Sequence, residues 1–278
     1  MLARTPAESE VFAGNRALGR IALAVTAAAG ESRRRKVHET GSLRVRFPNA
    51  ASRDTLDAVI INTAGGMTGG DRFDVDIAVG DGARLALTTA AAEKVYRSIG
   101  PDTEVNVRLD VGSGGMLAWL PQETILFDRV RLKRSIDVDL APGANLILAE
   151  AIVFGRSAMG ETVRQGHITD RWRVRVGGKL AFAETLRLDG VIAQQLKRRA
   201  IAAGGIAIAS VLKFPGDGAV AAGIRDIANE FAGEVGISTW NELTLARLLA
   251  PDGASLHRDL ARVLTSLSAT PLPRLWLN

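Results

Sequence analysis

Residues 73–87 read FDVDIAVGDGARLAL, and this stretch decides the fold class. Apolar side chains occupy every second position from Phe73 to Val79, with aspartate or alanine between them. A period of two places the apolar set on one face of a β-strand and the polar set on the other. A glycine turn at 80–82 then leads into a second apolar run at 85–87. The stretch therefore predicts two β-strands joined by a short turn.

The same unit recurs along the first two-thirds of the chain. Its turns contain Gly80, Gly112, Gly143 and Gly177, a spacing of 31 to 34 residues. Repeats with this period indicate stacked units that bury a continuous core between neighbours. Because short glycine turns commonly join antiparallel strands, we expect each unit to be a two-strand hairpin. The sequence predicts a mainly β fold of stacked antiparallel β-hairpins, resembling a β-sandwich or a β-helix.

The pattern changes in the last third of the chain. Apolar residues recur there at three- and four-residue spacing over 219–232 and again over 255–267, which predicts two α-helices. No segment between the repeats has the composition of a flexible linker. We therefore expect residues 1–278 to form a single domain, with the hairpin stack at 1–188 and an α/β part at 189–278.

The composition limits the chemistry. The chain has 35 Lys and Arg against 30 Asp and Glu, a net charge of +5, and it contains no cysteine. Disulfides, thiolate metal sites and cysteine nucleophiles are therefore excluded. The three histidines, His38, His167 and His257, are far apart in the sequence and show no metal-ligand spacing. Metal or acid–base chemistry must depend on carboxylates.

Charge and hydropathy also limit the partners. The basic run at 33–36 is too short for a nucleic-acid footprint, and we expect a solvated loop or turn there. The longest apolar stretch, near 201–212, is shorter than the roughly 18 residues of a membrane helix and is interrupted by Gly204 and Gly205. We expect a cytoplasmic protein with no nucleic-acid partner and no membrane partner.

Glu150 and Glu184 are exceptions to the alternation of their strands. Each shares the apolar face of its strand with leucines and a phenylalanine. An ionised glutamate costs several kcal/mol to bury without a partner, and desolvation raises its pKa. Three interpretations are open. Arginines hold both glutamates in structural salt bridges, the glutamates line an internal polar passage or metal site, or a β-bulge turns them to solvent.

Residues 62–71 read NTAGGMTGGD, the most unusual segment of the chain. A phosphate-binding loop ends in Gly-Lys-Ser/Thr and continues as a helix, whereas Asp71 and a strand follow here. Glycine permits positive φ and close approach of backbones. The segment therefore predicts a sharp crossover that presents Asp71. The later segment 93–98, EKVYRS, holds the only tyrosine and is expected to be an exposed strand end.

Several short stretches, taken in order along the chain, together carry a family resemblance. They lie at 41–48, 62–71, 94–98, 119–125, Phe127, Glu150, 155–156, 160–162 and 273–276. In order and spacing these stretches resemble the urease accessory protein UreD family, called UreH in some organisms. The resemblance covers the chain from about residue 16 to the C-terminus.

The resemblance implies a non-enzymatic maturation factor. A member of this family is expected to bind the urease apoprotein, to recruit UreF and the GTPase UreG, and to pass nickel toward the urease active site. It also implies stacked β-sheets in a β-helix-like arrangement with C-terminal helices. Nickel is then a transient cargo, and no permanently bound cofactor is expected.

The resemblance further implies a set of nickel-path residues. They fall on Asp71, Glu93, Glu150 and Glu184, and some relatives have serine at 93 and aspartate at 150. Nickel prefers nitrogen and sulfur ligands, so oxygen ligands should hold it weakly. A weak and repeated carboxylate path lets an ion enter and leave. The alternative is a pure scaffold that binds its partners with no metal transit.

Overall fold

The computed structural model describes residues 15–48, 53–156 and 159–277. Within these ranges 17 β-strands, numbered in chain order, form two facing sheets. That residues 1–278 form a single domain stays a prediction, because residues 1–14 and three shorter segments lie outside the description.

The two sheets differ in size and in strand order. The seven-stranded sheet has the order β14-β13-β11-β8-β5-β1-β2 and consists of β1 (Leu18–Ala28), β2 (Glu31–Gly41), β5 (Arg72–Val79), β8 (Thr103–Val111), β11 (Val130–Leu140), β13 (Gly166–Val176) and β14 (Lys179–Gly190). The ten-stranded sheet consists of β3 (Leu43–Arg46), β4 (Leu56–Asn62), β6 (Arg84–Thr89), β7 (Glu93–Val95), β9 (Met116–Leu120), β10 (Thr124–Leu126), β12 (Asn145–Phe154), β15 (Ala207–Phe214), β16 (Glu234–Trp240) and β17 (Leu243–Ala250). Its main path runs β16-β17-β15-β12-β9-β6-β4-β3, with β10 between β12 and β7 beside it.

Two cores hold these layers together. The described residues contain three α-helices, α1 (Ile192–Leu196), α2 (Gly218–Asp226) and α3 (Gly253–Leu267). The inner faces of the sheets enclose the main core, and α2 and α3 cover the outer face of the ten-stranded sheet with a second core. No helix in the described ranges combines the length and apolarity of a membrane span. The mainly β, β-helix-like fold with two long helices in its last third is confirmed.

The strand pairing inside the stack differs from the expected hairpins. In the first three units, β5, β8 and β11 pair in parallel in one sheet, while β6, β9 and β12 pair in parallel in the other. Each unit therefore crosses from the seven-stranded to the ten-stranded sheet and returns, as one coil of a solenoid. The expected antiparallel pairing is wrong for these three units and correct for the fourth, β13 with β14.

Turn length explains this difference. Four residues separate the strands of each of the first three units, at 80–83, 112–115 and 141–144. Between β13 and β14 there are two, Gly177 and Gly178, both with positive φ (55° and 78°), which is the geometry of a two-residue hairpin turn. The longer turns instead stack on one another, with the Gly82 amide donating to the Ser113 carbonyl at 2.9 Å.

The basic run at 33–36 is a second correction. It lies within β2, the edge strand of the seven-stranded sheet, rather than in a loop. All four of its side chains are exposed. Charged residues on an edge strand discourage pairing with another chain, which accounts for this composition.

The glycine-rich segment 62–71 packs tightly against the loop that follows β7. A Cβ atom on Gly66 would lie 2.4 Å from a ring carbon of Tyr96. One on Gly69 would lie 1.9 Å from the Ser98 hydroxyl and 2.5 Å from the Pro101 carbonyl oxygen. Glycine is required at these positions because the two backbones approach closely.

We predict that Gly69→Ala destabilises the protein by about 1–3 kcal/mol, since the added methyl group meets the backbone oxygen of Pro101. Gly100→Ala in the same region is the matched control, because a Cβ there has nothing within 4 Å, and it should change stability by less than about 0.5 kcal/mol. Urea unfolding of both variants measures the difference. Equal stabilities would contradict the packing argument.

Candidate functional site

Glu150 faces the core between the two sheets. It lies on β12, on the same face as Leu148 and Ile152, and is 6% exposed. The Nε1–H of Trp119 donates to one carboxylate oxygen at 2.9 Å, and the guanidinium of Arg134 pairs with the other. Both oxygens therefore have the partners that a buried charge requires.

Arg134 lies between two buried carboxylates. It is on β11, in register with Asp170 on β13, and its Nε and Nη2 donate to the two Asp170 oxygens at 3.1 and 2.6 Å. Its Nη1 donates to Glu150 and, at 3.3 Å, to the hydroxyl of Thr124. The planar guanidinium suits this bidentate arrangement. Arg134, Glu150 and Asp170 are named the arginine cluster below.

Burial acts in opposite directions on the members of this cluster. Removal from water raises the pKa of Glu150, although the charge of Arg134 and the bond from Trp119 act against the rise. Burial alone would lower the pKa of Arg134, but attraction to Asp170 and Glu150 outweighs it and raises the pKa of the guanidinium above its usual value. Arg134 therefore stays a cation inside the protein.

Two cavities meet at Glu150. The outer cavity, of about 340 Å³, is lined by Glu150, Asp170, Glu184, Ser210, Glu234 and Arg247, among others. The inner cavity, of about 80 Å³, lies between the sheets and is lined by Asn62, Glu93, Trp119, Thr124, Arg134 and Glu150 among mostly apolar side chains. Glu150 lines both cavities, so one carboxylate faces each of them.

Three of the four carboxylates predicted for the path line these cavities. Glu184 lies at the outer cavity and pairs with Arg247 at 2.9 Å. Glu93 begins β7 at the inner cavity and accepts a hydrogen bond from the Asn62 side-chain amide at 3.0 Å. Burial raises the pKa of Glu93, with the Asn62 bond acting against the rise. Glu184 therefore lines the outer cavity, Glu93 lines the inner cavity, and Glu150 lines both.

Asp71 lies apart from these three carboxylates. It is buried after the glycine-rich segment and is not among the residues that line either cavity. One of its oxygens accepts from the Ala17 amide at 2.8 Å and the other from the Thr68 amide at 2.7 Å. Its contacts are those of a loop anchor that ties the crossover to the start of β1.

The structure combines two of the interpretations open for Glu150 and Glu184. Each pairs with an arginine, and each also lines a cavity. The β-bulge of this hairpin falls at Val174 and Arg175, whereas Glu184 stays in register with Trp172. In the described ranges, no three acidic or histidine side chains come close enough together to hold a metal ion.

Sequence reasoning missed two members of the arginine cluster. The apolar alternation that includes Ile136 in β11 and Trp172 in β13 continues one step toward the start of each strand, to a charged residue on the same face. Those earlier positions are Arg134 and Asp170, both buried. Applying the period of two to the whole strand would have placed both charges on the core-facing side of their strands, but not their contact with Glu150.

Comparison with known proteins gives a consistent result. A family model described as UreD urease accessory protein matches residues 17–277. The urease accessory protein UreD of Rhodopseudomonas palustris strain HaA2 is 58% identical over 272 residues, covering 98% of this chain and 97% of the relative. UreD of strain BisB5 is 54% identical over 272 residues, covering 98% and 96%. UreD of Bradyrhizobium diazoefficiens is 54% identical over 270 residues, covering 97% of both chains.

We predict that Glu93→Gln stabilises the protein at neutral and higher pH, because the variant keeps an acceptor for Asn62 and removes a buried charge. With its pKa raised by burial, Glu93 binds more protons in the folded than in the unfolded chain. Wild-type stability therefore falls as pH rises through that interval. The gain, a few degrees in Tm, should shrink as pH falls through the raised pKa toward the ordinary 4.5.

Calorimetry over a pH series measures this difference between the variant and the wild type. Glu104→Gln, at a surface carboxylate on the outer face of the seven-stranded sheet, is the control and should give no gain. A gap between Glu93→Gln and the wild type that stays constant with pH would show that burial of the charge is not its cause.

We predict that Arg134→Met destabilises the protein by about 3–5 kcal/mol, because it leaves two carboxylates buried without their cation. Arg247→Met breaks the more exposed pair with Glu184 and should cost about 1 kcal/mol or less. Chemical denaturation of the two variants tests the contrast. Similar losses in both would mean that the cluster is hydrated rather than buried.

Proposed function

The chain belongs to the UreD urease accessory protein family and has a role in urease maturation, and from this premise we propose that it passes nickel toward the urease active site. In this proposal it works in the cytoplasm without catalysing a reaction. It binds the urease apoprotein, recruits UreF and the GTPase UreG, and conducts the ion through its interior.

The observation that carries the proposal is the position of Glu150 at the meeting of the two cavities. In this route an ion in the outer cavity meets Glu184 first and Glu150 next. From Glu150 it passes into the inner cavity, where it meets Glu93. Hard oxygen ligands spaced along a route bind nickel weakly, which favours transfer over storage. Asp71 is left outside this route because it lines neither cavity.

Arg134 sets the condition for passage in this proposal. Its guanidinium already pairs with the Glu150 carboxylate, so an incoming divalent cation competes with the guanidinium for that carboxylate. Arg134 keeps two hydrogen bonds to Asp170 when it gives up Glu150. Asp170 therefore continues to hold the arginine when Glu150 binds the ion, and in this proposal an internal cation rather than an apolar plug closes the path at rest.

A pure scaffold is the second candidate function. The observation that favours it is that each carboxylate of the route has a protein partner: Arg134 for Glu150, Arg247 for Glu184 and Asn62 for Glu93. Such pairing satisfies the needs of a stable core without any metal. Under this reading the protein aligns its partners and no ion enters it.

We predict that the double variant Glu150→Gln/Glu184→Gln lowers urease activation roughly tenfold while the complex with urease, UreF and UreG still forms. Glutamine keeps the volume and one acceptor oxygen at each position but removes the charge that attracts the cation. Activation is measured as urease activity after co-expression, and assembly is scored separately by co-purification.

The matched control is Glu104→Gln/Glu230→Gln, which removes two arginine-paired carboxylates from the surface and should leave both readouts unchanged. Normal activation with the path variant would favour the scaffold. Loss of assembly would assign the two glutamates a structural role instead.

A further inference from the structure

A groove opens at the edge of the molecule where the chain returns from the ten-stranded to the seven-stranded sheet. The loops 96–102, 127–129 and 159–165, which precede β8, β11 and β13, form it. Its volume is about 700 Å³, and its lining includes Tyr96, Arg97, Phe127, Arg129, Glu161 and Arg164. This feature is named the arginine groove.

Contacts between the loops hold the walls of the groove in place. The Arg129 carbonyl accepts from the Ser98 amide at 3.0 Å. The ring of Tyr96 meets that of Phe127 edge-on at a centroid distance of 4.8 Å, and the Arg156 guanidinium lies over the Phe127 ring at 4.3 Å from its centroid. Gly66 also packs closely against the ring of Tyr96, which limits the movement of that ring. A groove formed in advance lowers the ordering cost of binding.

Arg129 has an unusual backbone conformation in this groove. Its φ is 63°, in the left-handed region that residues other than glycine adopt at a cost. Its amide donates to the Gln165 carbonyl at 2.8 Å, which ties this conformation to the neighbouring loop. The strained turn keeps the Arg129 side chain at the groove rather than along a strand.

The groove carries an excess of positive charge. Arg164 pairs with Asp128, and Arg156 pairs with Glu161. Arg97 and Arg129 are exposed, and neither guanidinium has a hydrogen-bond or ion-pair partner among the described residues. Two arginines on adjacent loops of one pre-formed groove therefore have their donors available to a ligand.

Exposed apolar side chains flank these arginines. Ile99 is 92% exposed at the tip of a loop that is closed by a hydrogen bond from the Ser98 hydroxyl to the Pro101 carbonyl at 2.7 Å. Met159, beside Gly160 of the groove, is 72% exposed. Tyrosine, methionine and arginine are the residue types enriched in protein–protein interfaces.

We propose that the arginine groove is a docking site for an acidic segment of a partner protein. Carboxylates of that segment pair with Arg97 and Arg129, and an apolar side chain between them covers Ile99. The two carboxylates already in the groove, Asp128 and Glu161, disfavour a polyanion such as a nucleic acid and favour a short segment in which a few acidic residues alternate with apolar ones. The inference rests on the proposed function for the choice of partners to test.

The position of the groove relates it to the proposed nickel route. Tyr96 follows β7 directly, and β7 begins with Glu93 of the inner cavity. A partner seated in the groove therefore lies beside the strand that forms the inner end of the route. Docking there would place a nickel donor or acceptor close to Glu93.

The test uses the charge-reversed variant Arg97→Glu/Arg129→Glu in the full chain, purified with urease subunits, UreF and UreG. We expect at least about tenfold weaker binding to one of these partners, mainly through a slower on-rate, and loss of the salt dependence seen with the wild type. Ile99→Ser should weaken the same contact without changing the net charge. The control Arg198→Glu/Arg199→Glu makes the same charge change at exposed positions elsewhere and should bind normally.

Wild-type affinity of the groove variant for every partner would overturn the inference while leaving the proposed function intact. If the wild type binds none of these proteins, the proposed function fails. A peptide titration then tests directly whether the groove binds an acidic segment. The probe is an eight-residue peptide of alternating glutamate and leucine, titrated into isotope-labelled protein. Amide shifts confined to Ser98, Arg129 and Gly160 support the groove, and their absence overturns it. Tighter binding of an oligodeoxythymidine there would overturn the assignment to an acidic protein.

Discussion

The pairing of Arg134 with Glu150 and Asp170 is the interaction on which the interior depends. Two carboxylates inside a β-core would each cost several kcal/mol if left unpaired, and one guanidinium between them offsets much of that cost. The cluster also joins β11 and β13 of one sheet to β12 of the other. Members of the cluster line both the outer and the inner cavity, so the buried charges and the cavities lie at the same place in the interior.

The two long edges of the solenoid differ in structure. At one edge the four-residue turns stack with hydrogen bonds between successive coils, which makes that side regular. At the other edge the loops before β8, β11 and β13 vary in length and carry aromatic and arginine side chains. A rigid scaffold with irregular loops at one edge is the usual way for a fold to present a binding surface. The proposed nickel route and the proposed docking groove thus both include or adjoin β7.

Much of the fold follows from local patterns, and the failures have definite causes. The alternation from Phe73 to Val79 correctly placed these side chains in the core, and the same rule correctly placed Glu150 on the apolar face of its strand. Pairing could not be read in this way, because a glycine turn permits either a hairpin or a crossing to a facing sheet. Gly177 and Gly178 form a hairpin, whereas the residues 80–83 do not. The number of residues between the strands distinguished the two cases.

By itself the sequence determined the strand faces, the 31–34-residue repeat, the two long helices and the presence of acidic residues on apolar faces, because each depends on the spacing of neighbours along one segment. Only the tertiary structure decided which charges meet. Arg134, Glu150 and Asp170 are 16 to 36 positions apart. Arg134 and Asp170 come together because the parallel strands β11 and β13 place them in register, and Glu150 meets them from β12 of the facing sheet. Asp71 was expected among the path residues, but the Ala17 and Thr68 amides hold its carboxylate outside the cavities. Coulombic contacts depend on distance in space, which the order of residues alone does not specify.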